Sequence, residues 1–271
     1  MTRRALLGAS AAAGALALLG PASSAFAGLS PSEDTWNTIK SDYFANIDFQ
    51  DGSHILALDA PLRAHDAAIV PLDIKVSDKQ AIKTLTLIID ENPVPLAAKF
   101  TYGAASAQAS IQTRVRVNAY SYVRVVAEAV DGTHFMVKRF VKASGGCAAP
   151  SGKDPEAAIA NMGKMRLRRF GEANPRQSAN PREAQLMLRH PNHSGFQMDQ
   201  VTLLFVPAEF VETITIQQGD EMILTVEGGI SLSEDPNLRF FYRENPAEPI
   251  TVTAIDTEGR VFKHSWTAAE S

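Results

Sequence analysis

Apolar side chains change their spacing within the first sixty residues of the chain. Trp36, Ile39, Tyr43 and Phe44 fall at i, i+3, i+7 and i+8 and share one face of a helix. Before them, Ser32 can cap, and Glu33 and Asp34 suit the positive end of a helix dipole. One short helix is predicted. From about residue 53 the period is two. Ile111, Thr113, Val115 and Val117 alternate with Gln112, Arg114 and Arg116, and Val123, Val125, Ala127 and Ala129 alternate with Arg124 and Glu128. Leu85, Leu87 and Ile89 follow the same rule up to Asn92-Pro93, and Asp131-Gly132 marks a hairpin between strands at 123–130 and 135–141. About seven short strands without a long helix among them predict a β-sandwich.

Residues 143–164 carry no strong apolar period and read as a linker, with at most a helical turn at 155–162. The two-residue period then returns. Strands are expected at 201–206, 211–216, 222–226, 251–255 and 261–266, with turns at Gln218-Gly219-Asp220 and Thr257-Glu258-Gly259. Both halves end in a strand, an acidic-Gly turn and another strand. The pattern therefore predicts an all-β chain of two sandwiches of similar build.

The first 27 residues have the character of an export signal. Arg3 and Arg4 precede an apolar run from Ala5 to Leu19, and Ala25-Phe26-Ala27 is a small-x-small cleavage site. The run is shorter than the ~20 residues that span a bilayer. A mature chain starting at Gly28 and free in the periplasm is expected. The paired arginines fit a twin-arginine signal and an ordinary secretory one equally well.

The 271 residues carry a formal charge of −4, which gives no reason to expect a nucleic-acid partner. A single cysteine excludes an internal disulfide and a multi-cysteine metal site. In an oxidising compartment an unpaired thiol either pairs with something else or is used. It sits in Ser144-Gly145-Gly146-Cys147-Ala148-Ala149-Pro150, where two glycines admit almost any backbone angle. Cys147 is expected on an exposed, mobile arm, rapidly alkylated. Lys138, Arg139, Lys142 and Lys153 are the basic residues that could favour its thiolate.

No active site assembles around that thiol. His134 is the one local candidate for a base and reads as a turn residue. His190-Pro191-Asn192-His193 has the spacing of two metal ligands, but Pro191 argues against a helix and no carboxylate adjoins it, so no metal is expected. Glu234-Asp235-Pro236 and the repeated Ala-Asn-Pro-Arg at 173–176 and 179–182 read as turns. Phosphate-binding, serine-hydrolase and zinc-protease motifs are absent. The chain is read as a non-enzyme without a cofactor.

The residues before Cys147, with Glu91-Asn92-Pro93, Val126-Ala127-Glu128 and Asp131-Gly132, are similar to SoxY, the sulfur-compound carrier of periplasmic thiosulfate oxidation. The second half resembles SoxZ in His190-Pro191 before Gly195, Asp235-Pro236-Asn237-Leu238 before Phe240, and Asp256 with Gly259. The whole chain thus resembles the fused SoxYZ-like carriers associated with quinoprotein dehydrogenases. The resemblance implies two immunoglobulin-like β-sandwich domains: a signal at 1–27, a SoxY-like sandwich at 28–143, a flexible Gly-Gly-Cys arm and linker at 144–164, and a SoxZ-like sandwich at 165–271. It also implies a carrier role for Cys147, on an arm that includes Gly145 and Gly146. The implied partners are periplasmic sulfur-oxidation enzymes and c-type cytochromes, or a quinoprotein (PQQ) dehydrogenase, with a sulfur compound as cargo. One departure stands out. In SoxY the cysteine lies near a free C-terminus and glycine follows it, whereas here Ala148-Ala149-Pro150 and a whole domain follow. A binding or assembly module for a quinoprotein dehydrogenase, with the thiol incidental, is the alternative.

Overall fold

Trp36 and Ile39 turn inward from helix α1 (Asp34–Tyr43), and Phe44 is buried just beyond its end, while Tyr43 is exposed. The computed structural model describes residues 33–77, 82–152, 154–171 and 181–270. The expected signal, the Ser32 cap, Lys153 and the first Ala-Asn-Pro-Arg lie outside them. The helix packs on Ile88 and Val126, so it covers the outer face of strands β4 (Ile82–Ile89) and β7 (Ser121–Ala129). This cover explains a departure from the alternating pattern. Arg124, expected on a solvated face, is buried beneath α1. Its Nε donates to both carboxylate oxygens of Asp90 at 3.0 and 2.9 Å, its Nη2 donates to Glu33 at 2.6 Å, and its guanidinium lies 4.5 Å from the Trp36 ring. Burial raises the Asp90 carboxyl above its ordinary range, and the Arg124 charge opposes that rise.

Two sheets run through both halves of the sequence. The nine-stranded one is ordered β1 (Phe49–Asp51), β8 (His134–Val141), β7, β4, β5 (Leu96–Tyr102), β12 (Glu221–Gly228), β11 (Val211–Gln218), β14 (Ile250–Asp256) and β15 (Val261–Trp266). The six-stranded one is ordered β2 (Leu56–Asp59), β3 (Val70–Val76), β6 (Ser106–Val115), β13 (Asn237–Arg243), β10 (Pro181–Leu188) and β9 (Met165–Phe170). The described strands of the two halves pair twice, both times antiparallel. Phe100 of β5 stands opposite Val226 of β12, and Ile111 of β6 stands opposite Phe240 of β13. One apolar core takes Leu85, Leu87, Phe100, Ile111 and Val125 from the first half with Leu186, Ile216, Val226, Phe240 and Val252 from the second. Pro31–Ser271 forms one compact unit. The fold is the expected all-β one, built on two sheets, with its short N-terminal helix.

Seven of the described strands were not placed by the pattern: β1, β2, β3 and β5 in the first half, and β9, β10 and β13 in the second. Pro181 and Arg182, read as part of a turn, begin β10. The opposite error falls at 201–206. No strand forms there, and Val201, Leu203, Leu204 and Phe205 are largely exposed. Asp199 gathers the Val201 and Thr202 amides at 3.0 and 2.7 Å, and Leu203 takes a φ of 57°. An apolar run closed into a turn this tight cannot pair along a sheet edge. The expected hairpin at Asp131-Gly132 joins β7 to β8, with Gly132 at φ 86°. Within the expected linker, Pro155–Asn161 forms α2, capped where Asp154 accepts the Ala157 amide at 3.0 Å.

Candidate functional site

The end of β6 and the chain leaving β8 converge on Cys147. Beyond β6, residues 116–118 run alongside the arm. The Gly145 amide donates to the Asn118 carbonyl at 2.7 Å, and the Gly146 amide donates to the Val117 carbonyl at 3.2 Å. Ala148 then closes a turn onto the Gly145 carbonyl at 3.1 Å. From the second half, the Ser194 hydroxyl donates to the Cys147 carbonyl, and Gln197 Nε2 donates to the Ala149 carbonyl at 2.8 Å. Cys147 is 0% exposed.

The expectation of an exposed, mobile thiol is therefore corrected. Gly146 serves close approach, not mobility: a Cβ there would stand 2.1 Å from the Ala67 carbonyl oxygen and 2.6 Å from that of Val117. Gly145, at φ 76°, supplies the left-handed turn that lays the arm down. Burial pushes the Cys147 thiol up to about 11, and the Arg116 charge pulls it the other way. A thiol seated like this is almost wholly protonated at neutral pH, hence unreactive.

Among the described residues, the cation that acts on Cys147 is Arg116, not Lys138, Arg139 or Lys142 as considered from the sequence. Arg116 was read as an outward-facing strand residue, yet it is 1% exposed. Strand β6 ends at Val115, and residues 231–233 of the second half lie along the chain there. Ser231 O accepts the Arg116 amide at 2.8 Å, and the Arg114 carbonyl accepts the Ser233 amide at 3.2 Å. Asn92 ties the segment together: its Nδ2 donates to the Arg116 carbonyl and to Ser231 Oγ, both at 2.8 Å, and its Oδ1 accepts the Asn118 amide at 2.8 Å. The Glu91-Asn92-Pro93 motif thus has a structural role in seating the arm.

His190 and His193 work as scaffolding. His190 is buried; its Nδ1 accepts the Asn192 amide at 3.0 Å, which leaves Nε2 to donate to Asp256 at 3.4 Å. His190, Glu209 and Asp256 lie close enough to hold an ion, but the Arg260 guanidinium bonds both carboxylates and already acts as their cation. Burial pushes the Asp256 carboxyl up, but bonds from Arg260 outweigh it and hold the group below its ordinary range. His193 Nδ1 meets Gln197 Oε1 at 3.0 Å, which orients the amide that holds Ala149. His134 lies at the start of β8, edge-on to Phe49, at the strand end remote from the arm, and supplies no base to the thiol.

Burial lowers His190 below its ordinary 6.5, with the Asp256 bond opposing. The unfolded chain therefore takes up a proton near pH 6.5 that the folded chain refuses, so stability falls as pH drops below that value. Urea melts between about pH 8 and 5 should show that decline. His190→Gln, which cannot gain the charge, should flatten it; an unchanged slope would rule out His190 as the source.

Comparisons with known proteins divide the chain where the structure joins its halves. Residues 40–147 match the family model for sulfur oxidation protein SoxY, and residues 170–267 match that for sulphur oxidation protein SoxZ. The chain is a SoxY–SoxZ fusion. The SoxY match ends on Cys147 itself. Among solved structures, the sulfur carrier protein SoxY from Chlorobium limicola f thiosulfatophilum is 22% identical, covering 41% of this chain and 97% of that one, at a TM-score of 0.34. Two variants of a superoxide reductase (neelaredoxin) from Ignicoccus hospitalis also match. One is 12% identical over 32% of this chain and 78% of its own, at a TM-score of 0.30. The other is 9% identical over 39% of this chain and 90% of its own, at 0.29. No curated protein matches the sequence significantly. The chain thus joins the domains of two sulfur oxidation protein families. None of its described helices is long and apolar enough to cross a membrane.

Proposed function

We propose that this SoxY–SoxZ fusion is a periplasmic, non-catalytic carrier that holds a sulfur-compound intermediate covalently on Cys147 and presents it to partner enzymes. The observation that carries the reading is that the SoxY match ends at the chain's one cysteine, on a Gly-Gly arm, with the SoxZ match beginning soon after. In the docked arm the thiol is sheltered from chance oxidation, and delivery requires the arm to leave its seat. Sulfur-oxidation enzymes with c-type cytochromes are the proposed partners, or a quinoprotein dehydrogenase system. The 1–27 signal, with its Ala25-Phe26-Ala27 site, supports periplasmic export.

A second reading takes the chain as an assembly or binding module for a quinoprotein dehydrogenase, with the thiol incidental. Complete burial of Cys147 favours it, because buried cysteines are usually inert. The intact mass of protein purified from its own periplasm, before and after reductant, separates the two. The carrier reading expects a reductant-labile, sulfur-containing adduct on Cys147. A bare thiol in cells grown on every relevant substrate would leave the binding module.

A further inference from the structure

Arg116 is the least satisfied charge near the arm. Its main chain is fully engaged, but Nε and Nη1 of its buried guanidinium have no hydrogen-bond partner among the described residues. A buried guanidinium without acceptors is costly, and burial lowers the Arg116 pKa accordingly. The charges that favour its cationic form are Glu234 first, then the Cys147 thiolate, then Asp66. Glu234 already accepts the Ser151 hydroxyl at 2.8 Å. The arm lies against the chain that carries this guanidinium: the Gly146 amide bonds the Val117 carbonyl at 3.2 Å, and the Gly145 amide bonds that of Asn118 at 2.7 Å. The buried thiol thus shares the field of one under-coordinated cation.

We propose that Arg116 and Cys147 form a pocket for a small sulfur oxyanion, in which the unpartnered guanidinium N–H groups hold the anionic end of a group carried on the thiol. This rests on the carrier reading and adds a selecting residue to it. A planar guanidinium presents its N–H groups in a fork that matches two oxygens of a sulfonate-type terminus. A neutral adduct leaves the same N–H groups unmet. Anionic cargo therefore keeps the loaded arm seated, and uncharged cargo does not. The preference is local, because the chain as a whole carries −4 and repels anions.

The test loads Cys147 of the full mature protein in three ways and compares melting temperatures. With tetrathionate, the thiolate attacks an inner sulfur, the central S–S bond breaks, thiosulfate leaves, and the cysteine carries a disulfide-linked sulfonate. With methyl methanethiosulfonate, the thiolate takes the methylthio group, methanesulfinate leaves, and the adduct is neutral. The trimethylammonioethyl analogue of that reagent gives a cationic adduct by the same exchange. Loading is done in mild urea and the protein is refolded, so that arm opening does not limit it. The sulfonate adduct should melt about 4 °C or more above the methyl adduct, with the cationic adduct lowest. Arg116→Gln should erase the gap, and Arg116→Lys should keep part of it. Equal melting of the three wild-type adducts would overturn the proposal even if Arg116→Gln failed to fold, and so would a gap that survives Arg116→Gln. The adducts are made in vitro, so a bare thiol in the cell would defeat the carrier reading without touching this result.

Discussion

Cys147→Ser should abolish growth that depends on this protein, whether on reduced sulfur or on a dehydrogenase substrate, while leaving a folded chain. A serine hydroxyl cannot form the persulfide or mixed S–S links open to a thiolate. Because the site is buried, the hydroxyl must find a partner there or go without, which costs about 1–2 kcal/mol and not the near-zero of a surface exchange. The same variant carries a second signature. The thiol is raised from 9.0 to about 11 in the folded protein, so the folded state holds a proton that the unfolded state releases first. That contribution is fully present below pH 9 and is lost as pH rises toward 11, up to roughly 2–3 kcal/mol. Chemical melts across that window should show the loss in the wild type and less of it in Cys147→Ser. Full biological activity of the serine variant under every condition would defeat the carrier reading.

Alkylation of native Cys147 should run at least ~100-fold slower than alkylation of the urea-unfolded chain at the same pH. The rise from 9.0 to about 11 alone removes that much thiolate, and enclosure adds to it. The two glycines should then separate by mechanism. A methyl group at Gly146 would fall within 2.6 Å of two backbone carbonyl oxygens, which cannot yield as a flexible side chain would. Gly146→Ala should therefore expel the arm and raise the native rate by roughly ten- to a hundredfold. At Gly145 a Cβ meets nothing within 4 Å, and the cost is only that of a left-handed backbone. That strain, of about 1 kcal/mol, should raise the rate only about fivefold. Rapid labelling of the wild type, or the opposite order of the two glycines, would mean that the docked seat is not the resting state.

Sequence alone determined the apolar faces of eight strands, where three of the turns between them close, and that the chain holds one thiol. Periodicity and turn residues are local, so β4, β6, β7, β8, β11, β12, β14 and β15 could be read from them, as could α1. The SoxY and SoxZ motifs around Asn92, Gly132, Cys147, His190 and Asp256 were legible for the same reason. Only the tertiary structure decided what covers the other faces. Arg116 and Arg124 occupy polar positions of alternating segments, and alternation says which side a residue takes but not whether something packs there. Helix α1 covers Arg124, and residues 231–233 run along Arg116, so both charges are buried. The arm shows the same limit. Two consecutive glycines permit either a loose tether or a close backbone approach, and local sequence cannot choose between them. The choice is made by Ala67 and Val117, which leave no room for a side chain at Gly146, and by Ser194 and Gln197, which reach across from the other half to hold the arm at Cys147 and Ala149.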